Sequence, residues 1–193
     1  MKKRTIFNVL LFILICVLGY VLFTTVREPI QFQTEKAAKE TAIINKLIEI
    51  RKAQEVYRAI TGRFAGSFQQ LRDTLRHGKF TLVSVTGDPD DPNSEISYDT
   101  SYVPAIDSVM ALGIDLDNLP YVPGTDGDTF DIKADTASYQ MTTVDVVEVG
   151  IPYEKFMGKF ADPKYKKYDK FYDPKKKIKF GSLNKPILTG SWE

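Results

Sequence analysis

Apolar positions follow three regimes along the chain. The first, Ile6–Val26 (IFNVLLFILICVLGYVLFTTV), carries no charge, and only Asn8, Tyr20, Thr24 and Thr25 are clearly polar. A helix rises about 1.5 Å per residue and a bilayer core is about 30 Å thick, so about 20 residues suffice to cross it. This run predicts a spanning helix. Lys2, Lys3 and Arg4 precede it, which assigns the N-terminus to the cytoplasm and everything after Arg27 to the far side. A cleaved signal peptide wants a shorter apolar core and a small-x-small cleavage site, and Thr24-Thr25-Val26-Arg27 offers none. A lipoprotein signal needs small residues before its cysteine, whereas Leu14-Ile15 precede Cys16. The expectation is an uncleaved, single-pass signal anchor in the inner membrane, in contact with the lipid bilayer.

In the second regime the apolar positions take the 3.6-residue period of a helix. Arg27-Glu28-Pro29 marks the expected membrane exit, with Pro29 tolerable at a helix start. Gln31–Thr41 (QFQTEKAAKET) is rich in helix formers and almost wholly polar. A stripe of Ile43, Leu47, Ile50 and Tyr57 then appears, with Ile44, Ile48, Val56 and Ile60 beside it, as an amphipathic helix requires. Its expected partner is the protein's own sheet. Coiled-coil pairing with a second chain lacks a clean heptad before Ile43 and places Gln54 in the seam. Gly62 ends the helix where a left-handed turn is needed. Ser67 reads as the N-cap of a second helix from Phe68 to about Arg76, and Gln70 completes a capping-box pattern. That helix buries Phe68, Leu71 and Leu75, and Gly78 closes it.

Short strands and turns make up the third regime. Phe80–Val85 alternates as a strand does, and Thr142–Val149 is the next clearest strand. Between them lie a turn-rich loop over Thr86–Glu95, an extended or irregular Ser101–Val109, and short strand candidates at Leu119–Val122 and Thr129–Ala134. Asp126-Gly127 makes 119–134 a hairpin candidate. Glu154–Phe160 has room for a helical turn, Pro163–Pro174 is a loop, and Ile178–Leu183 is a last strand before the tail 186–193. The chain then divides into a basic leader (1–5), a transmembrane helix (6–26), a polar stalk helix (27–42) and a periplasmic head (43–193). The expected fold is α+β: an N-terminal transmembrane helix and a long amphipathic helix packed on a mostly antiparallel sheet.

Charge sharpens this picture only locally. The 193 residues carry a formal net charge of +1, but Thr86–Asp135 holds twelve acids against Lys133 alone, and Lys155–Lys179 ten lysines against three aspartates. The acidic stretch supplies a face for the lysines of a neighbouring subunit. The segment Lys164–Lys179 interleaves lysines with aromatics. Lys164, Lys166, Lys167, Lys170, Lys175, Lys176, Lys177 and Lys179 are the candidate interaction surface, for lipid headgroups, an envelope polymer or a neighbouring subunit. Nucleic acid, which such a pattern would suit in another compartment, is not expected outside the cytoplasm.

Candidate chemistry is sparse. His77, the single histidine, sits at a helix end where it complements the dipole. With one histidine and one cysteine, Cys16, neither a zinc site nor a Cys/His pair can be assembled. There is no G-x-S-x-G elbow, phosphate loop or dinucleotide fingerprint. The acidic turns Asp88-Pro-Asp-Asp91 and Asp126-Gly-Asp128 lack calcium-loop spacing and read as turn chemistry. No cofactor or metal is expected.

Arg51, Ala53, Gln54, Tyr57, Gly62, Phe64, Ser67, Phe68 and Leu71, within Ile48–Leu71, resemble the end of the long helix in type IV pilins and type II secretion pseudopilins. Those proteins carry R-x-A-Q-x-x-Y, a Gly-aromatic break and a small helix leading to an antiparallel sheet. The resemblance covers about an eighth of the chain and implies a pilin-like layout, with Arg51, Gln54, Tyr57, Gly62 and Ser67 forming the helix and its break. Lys3-Arg4-Thr5-Ile6-Phe7-Asn8 lacks the processing-site Gly and the following Glu of those families, residues that serve their processing and polymerisation. Leu119–Asp135 and Ser182–Glu193 resemble uncharacterised single-pass envelope proteins of the Bacteroidota. The expected function is a non-enzymatic structural or interaction subunit of an envelope assembly, with other envelope proteins or further copies of itself as partners. The alternatives are an anchored periplasmic module for an anionic ligand or polymer, and a carboxylate-based hydrolase.

Overall fold

The structure, a computed structural model, describes residues 2–86 and 97–193. The Asp88–Asp91 turn and almost all of the Thr86–Glu95 loop lie outside the described residues. The first helix, α1 (Lys2–Thr61), is 60 residues long, about 90 Å at the usual rise. It is unbroken. Pro29 lies inside it, so the expectation that Pro29 opens a new helix is corrected; the lost amide belongs to a single turn and the chain continues on either side. Residues 6–26 are exposed throughout, and α1 is the one described helix long and apolar enough to span a membrane.

Gly62 terminates α1 with φ +76° and its amide on Arg58 O at 2.8 Å, the left-handed cap that glycine adopts without a Cβ clash. The second helix, α2 (Phe68–His77), starts at Ser67, whose hydroxyl accepts the Gln70 amide, and buries Leu71 and Leu75. Gly78 closes it for a different reason from Gly62. Its φ is −71°, but a Cβ there would sit 2.5 Å from Thr74 O. Close approach, not handedness, requires the glycine.

Strands β1 (Lys79–Thr86) and β2 (Ser97–Pro104) form a two-stranded antiparallel sheet, with Phe80 opposite Val103. A short helix, α3 (Ala105–Ala111), follows and buries Ala105 and Val109. The expected irregular stretch 101–109 is thus the end of a strand plus a helix. Strands β3 (Asp131–Tyr139), β4 (Thr142–Pro152) and β5 (Lys177–Gly181) form a second antiparallel sheet in the order β3-β4-β5. The protein therefore has two small antiparallel sheets, not one.

The hairpin expected over 119–134 reduces to a single bridge between Tyr121 and Thr129. The true hairpin joins β3 to β4 through Gln140-Met141, with φ 49° and 65°, and Tyr139 opposite Thr142. Two left-handed residues in a two-residue loop match the twist of the strands. Between β4 and β5 lie α4 (Tyr153–Phe156) and two 3₁₀ turns, Gly158–Phe160 and Pro163–Lys167. Ile43, Leu47 and Ile50 of α1 share one buried core with Val147, Val149 and Ile151 of β4 and with Ile178 and Phe180 of β5, so the stripe packs on the chain's own sheet.

Candidate functional site

The head grips α1 at two levels. At the upper one, Gln54 is fully buried. Its Nε2 donates to Ala65 O at 3.1 Å, and its Oε1 accepts the Ala65 amide at 2.9 Å. A side-chain amide presents a donor and an acceptor side by side, so one glutamine satisfies both backbone groups of a residue that has just left the helix. Arg51 donates to Leu188 O at 3.2 Å and pairs with Glu193 at 2.8 Å, which ties the tail to α1. The guanidinium of Arg58 lies over the Phe64 ring, and Tyr57 packs against the core. Arg51, Gln54, Tyr57, Gly62 and Ser67, the residues that carry the pilin resemblance, thus all have work within the fold.

The lower level surrounds residues 28–40, within the expected polar stalk helix 27–42. They are docked on the head, because Phe32 is fully buried. Its ring stacks on Tyr165 at 5.3 Å and meets Phe160 and Tyr172 edge-on at 5.6 and 5.1 Å, geometries that aromatic quadrupoles favour. Polar groups on the neighbouring helix turns complete the contact. Tyr168 donates to Glu28 at 2.6 Å, Tyr153 to Glu40 at 2.5 Å, and Lys39 to Phe156 O at 2.9 Å. Lys36 bridges Asp169 at 2.9 Å and Glu40 at 3.2 Å, and Lys159 meets Glu35 at 2.9 Å. Residues 153–172 form a collar on the helix.

The charges of this collar are fixed. A hydrogen bond from Lys36 holds the Asp169 carboxyl below its ordinary range against the opposing effect of burial. Partial burial disfavours the Lys36 charge, but Asp169 and Glu40 outweigh it and raise the ammonium above its usual value. Burial, then the bond to Glu40, pushes the Tyr153 phenol far up, and burial lifts Tyr172 to about 12. The Tyr168 hydroxyl keeps Glu28 low. Near neutral pH these groups stay as anions, cations and neutral donors. Such an arrangement fastens one surface to another.

The eight lysines of the candidate surface do not form a single face. Lys167 comes within 3.7 Å of Glu28, and Lys164 faces its own turn at Asp162. Lys177 and Lys179 sit on the sheet, paired with Asp131 at 2.8 Å and Glu148 at 2.6 Å. The acidic and basic stretches, expected to meet between subunits, touch inside the chain at Asp131, which Lys155 also approaches. Lys166, Lys170, Lys175 and Lys176 are exposed and have no ion pair among the described residues. The aromatics between them turn inward, apart from Phe171, which is exposed. A groove of about 490 Å³ runs between Gln33–Glu40 and Tyr168–Phe171; Lys36, Glu40 and Asp169 on its walls are satisfied by one another.

No family model, curated protein or solved structure matches the chain. The pilin resemblance accordingly rests on its own residues. Asp126 and Asp128 are exposed, and no cluster of three or more metal-ligating side chains occurs among the described residues. Glu28, Phe32, Lys36, Glu40, Tyr153, Asp169 and Tyr172 were not singled out by pattern. The one available signal was Phe32, a lone aromatic in an otherwise polar helical segment.

Proposed function

We propose that the chain is a non-enzymatic structural subunit of an envelope assembly, pseudopilin-like in layout, anchored in the inner membrane with its N-terminus cytoplasmic and its head periplasmic. The observation that carries this reading is the continuity of α1. One unbroken helix is bare and apolar over residues 6–26 and lies in the head's core from Phe32 to Gln54. A head joined to its anchor without a linker has its height and orientation fixed, which suits a part that must register with neighbours. The partners expected are other envelope proteins or further copies of the chain.

Photo-crosslinking from the head in native membranes tests this. A discrete adduct with another envelope protein, or with a second copy, is the expected result. Recovery of the uncrosslinked chain alone from sites covering the exposed head would overturn it.

A second reading, an anchored module for an anionic polymer, is favoured by Lys175 and Lys176 beside β5, which are exposed and have no ion pair among the described residues. Polymer capture that is unchanged in a K175E/K176E variant sinks that alternative.

A further inference from the structure

We infer that the 3₁₀ turn Pro163–Lys167 and Tyr168 stand in the headgroup layer of the bilayer, where Lys164, Lys166 and Lys167 bind anionic phospholipid. The inference rests on reading residues 6–26 as the membrane span. It follows from height along α1. Val26 ends the apolar run, and Glu28 lies two residues further on, about 3 Å along the axis. A bilayer about 40–45 Å thick with a core of about 30 Å leaves about 5–7 Å of headgroup layer on each side. Whatever is bonded to Glu28 is therefore inside that layer, and a tilted helix shortens the rise further.

Two groups are bonded there. The Tyr168 hydroxyl is 2.6 Å from Glu28 and the Lys167 ammonium 3.7 Å from it. Lys164 is close enough to help lower the Glu28 carboxyl. Ile30, one turn beyond Val26, is still exposed and apolar, which brings the hydrocarbon edge up to this level on that face of α1. The local carboxylates each have a partner within the chain. Tyr168 and Lys167 hold Glu28, Lys36 holds Asp169, and Asp162 caps its own turn through the Lys164 amide. Lys166 is exposed and has no ion pair among the described residues. The three lysines of the turn thus outnumber the two carboxylates beside them, Asp162 at 3.8 Å from Lys164 and Glu28 at 3.7 Å from Lys167. Basic groups held this close to an anionic surface attract it within a Debye length. The wider Lys164–Lys179 segment does not share the property, because Lys177 and Lys179 belong to the sheet.

Site-directed spin labelling of the full chain in vesicles tests both the inference and the reading beneath it. The vesicles are phosphatidylcholine alone or with about one-third phosphatidylglycerol, a range that spans the surface charge of cell membranes. Native Cys16 reports the span. Lys166→Cys reports the turn, and Glu55→Cys reports helix far above the membrane, the latter two in a Cys16→Ser background. The expected result is oxygen-accessible, nickel-chelate-protected label at Cys16. The label at residue 166 should be several-fold less accessible to the chelate than at 55, with more protection in the anionic vesicles. Adding K164Q/K167Q should abolish that lipid dependence while leaving Cys16 unchanged. A label at 166 as accessible as at 55, with Cys16 still in lipid, overturns the inference and leaves the anchor standing. A chelate-accessible Cys16 overturns the anchor itself. Lipid dependence that survives K164Q/K167Q overturns the role given to the lysines.

Discussion

The head holds α1 in two places by different means. Above, an aliphatic stripe at helical spacing packs on β4 and β5, and one buried glutamine pins the chain as it leaves the helix. Below, a single aromatic side chain, Phe32, enters a ring of four aromatics, and the rest of the contact is polar. The upper contact is distributed, so several residues share the burial. The lower one is concentrated, and its remaining bonds depend on the collar staying where Phe32 holds it. Apolar burial sets stability in both places, but the consequences of losing one side chain differ.

Phe32→Ala is the sharpest way to break that symmetry. Removing a fully buried phenylalanine costs about 3–5 kcal/mol where the site cannot collapse, and the rings of Phe160, Tyr165, Tyr168 and Tyr172 lose the ring they pack on. Hydrogen exchange should show protection lost over 153–172 and kept around Ala65. Uniform loss over both regions would mean that the two grips are one cooperative unit and that the contrast is false.

Gln54→Ala tests the upper grip. It strands the amide and carbonyl of Ala65 in a buried site, and an unsatisfied buried group costs about 1–3 kcal/mol. Protection should fall at 62–67 and persist in the collar. Gln54→Leu, which restores volume but neither hydrogen bond, should recover little stability; full recovery would show that packing, and not the paired bonds, is what matters there.

How far each grip is legible in sequence follows from the same contrast. Ile43, Leu47 and Ile50 announce themselves because burial on a helix repeats, and Gly62 and Ser67 because caps need particular residues. The strands over 80–85 and 142–149 show through alternation. Gln54 reads as a flaw in an apolar seam because its partner, the Ala65 backbone, has no sequence signature. Phe32 is concealed more deeply. One aromatic among polar helix formers has no period, and its partners lie far along the chain in a segment where lysines mask the tyrosines. The turn at Gln140-Met141 is hidden because it takes left-handed geometry without glycine or asparagine. Strand β2, SYDTSYVP, is hidden because its two tyrosines and one threonine are interrupted by Asp99 and closed by Pro104.

The smallest expected effect separates the grips by pH. The lower grip titrates at both ends of the scale, whereas the bonds of Gln54 to Ala65 involve no ionisable group. Asp169 is depressed in the folded protein, so its contribution is present above the unfolded carboxylate value of about 4 and is lost as pH falls through the lower folded value. Lys36 is raised, so its share is complete below about 10.5 and fades as pH climbs through the folded value. Tyr153 and Tyr172 are also raised; they stabilise fully below about 10, and that contribution falls as the unfolded phenols ionise. Collar stability should therefore be level from about pH 4 to 10 and decline on either side. The Lys36–Asp169 pair is only half-buried, so solvent screening limits its part to about 1 kcal/mol or less. Exchange rates corrected for intrinsic pH dependence, read separately over 153–172 and 62–67, give the measurement. A Lys36→Met variant should shrink the acid limb in the collar, where the Tyr168–Glu28 bond keeps the remainder, and leave 62–67 unchanged. If 62–67 shows the same acid limb, or the variant leaves the collar's limb intact, the lower grip is not the electrostatic one.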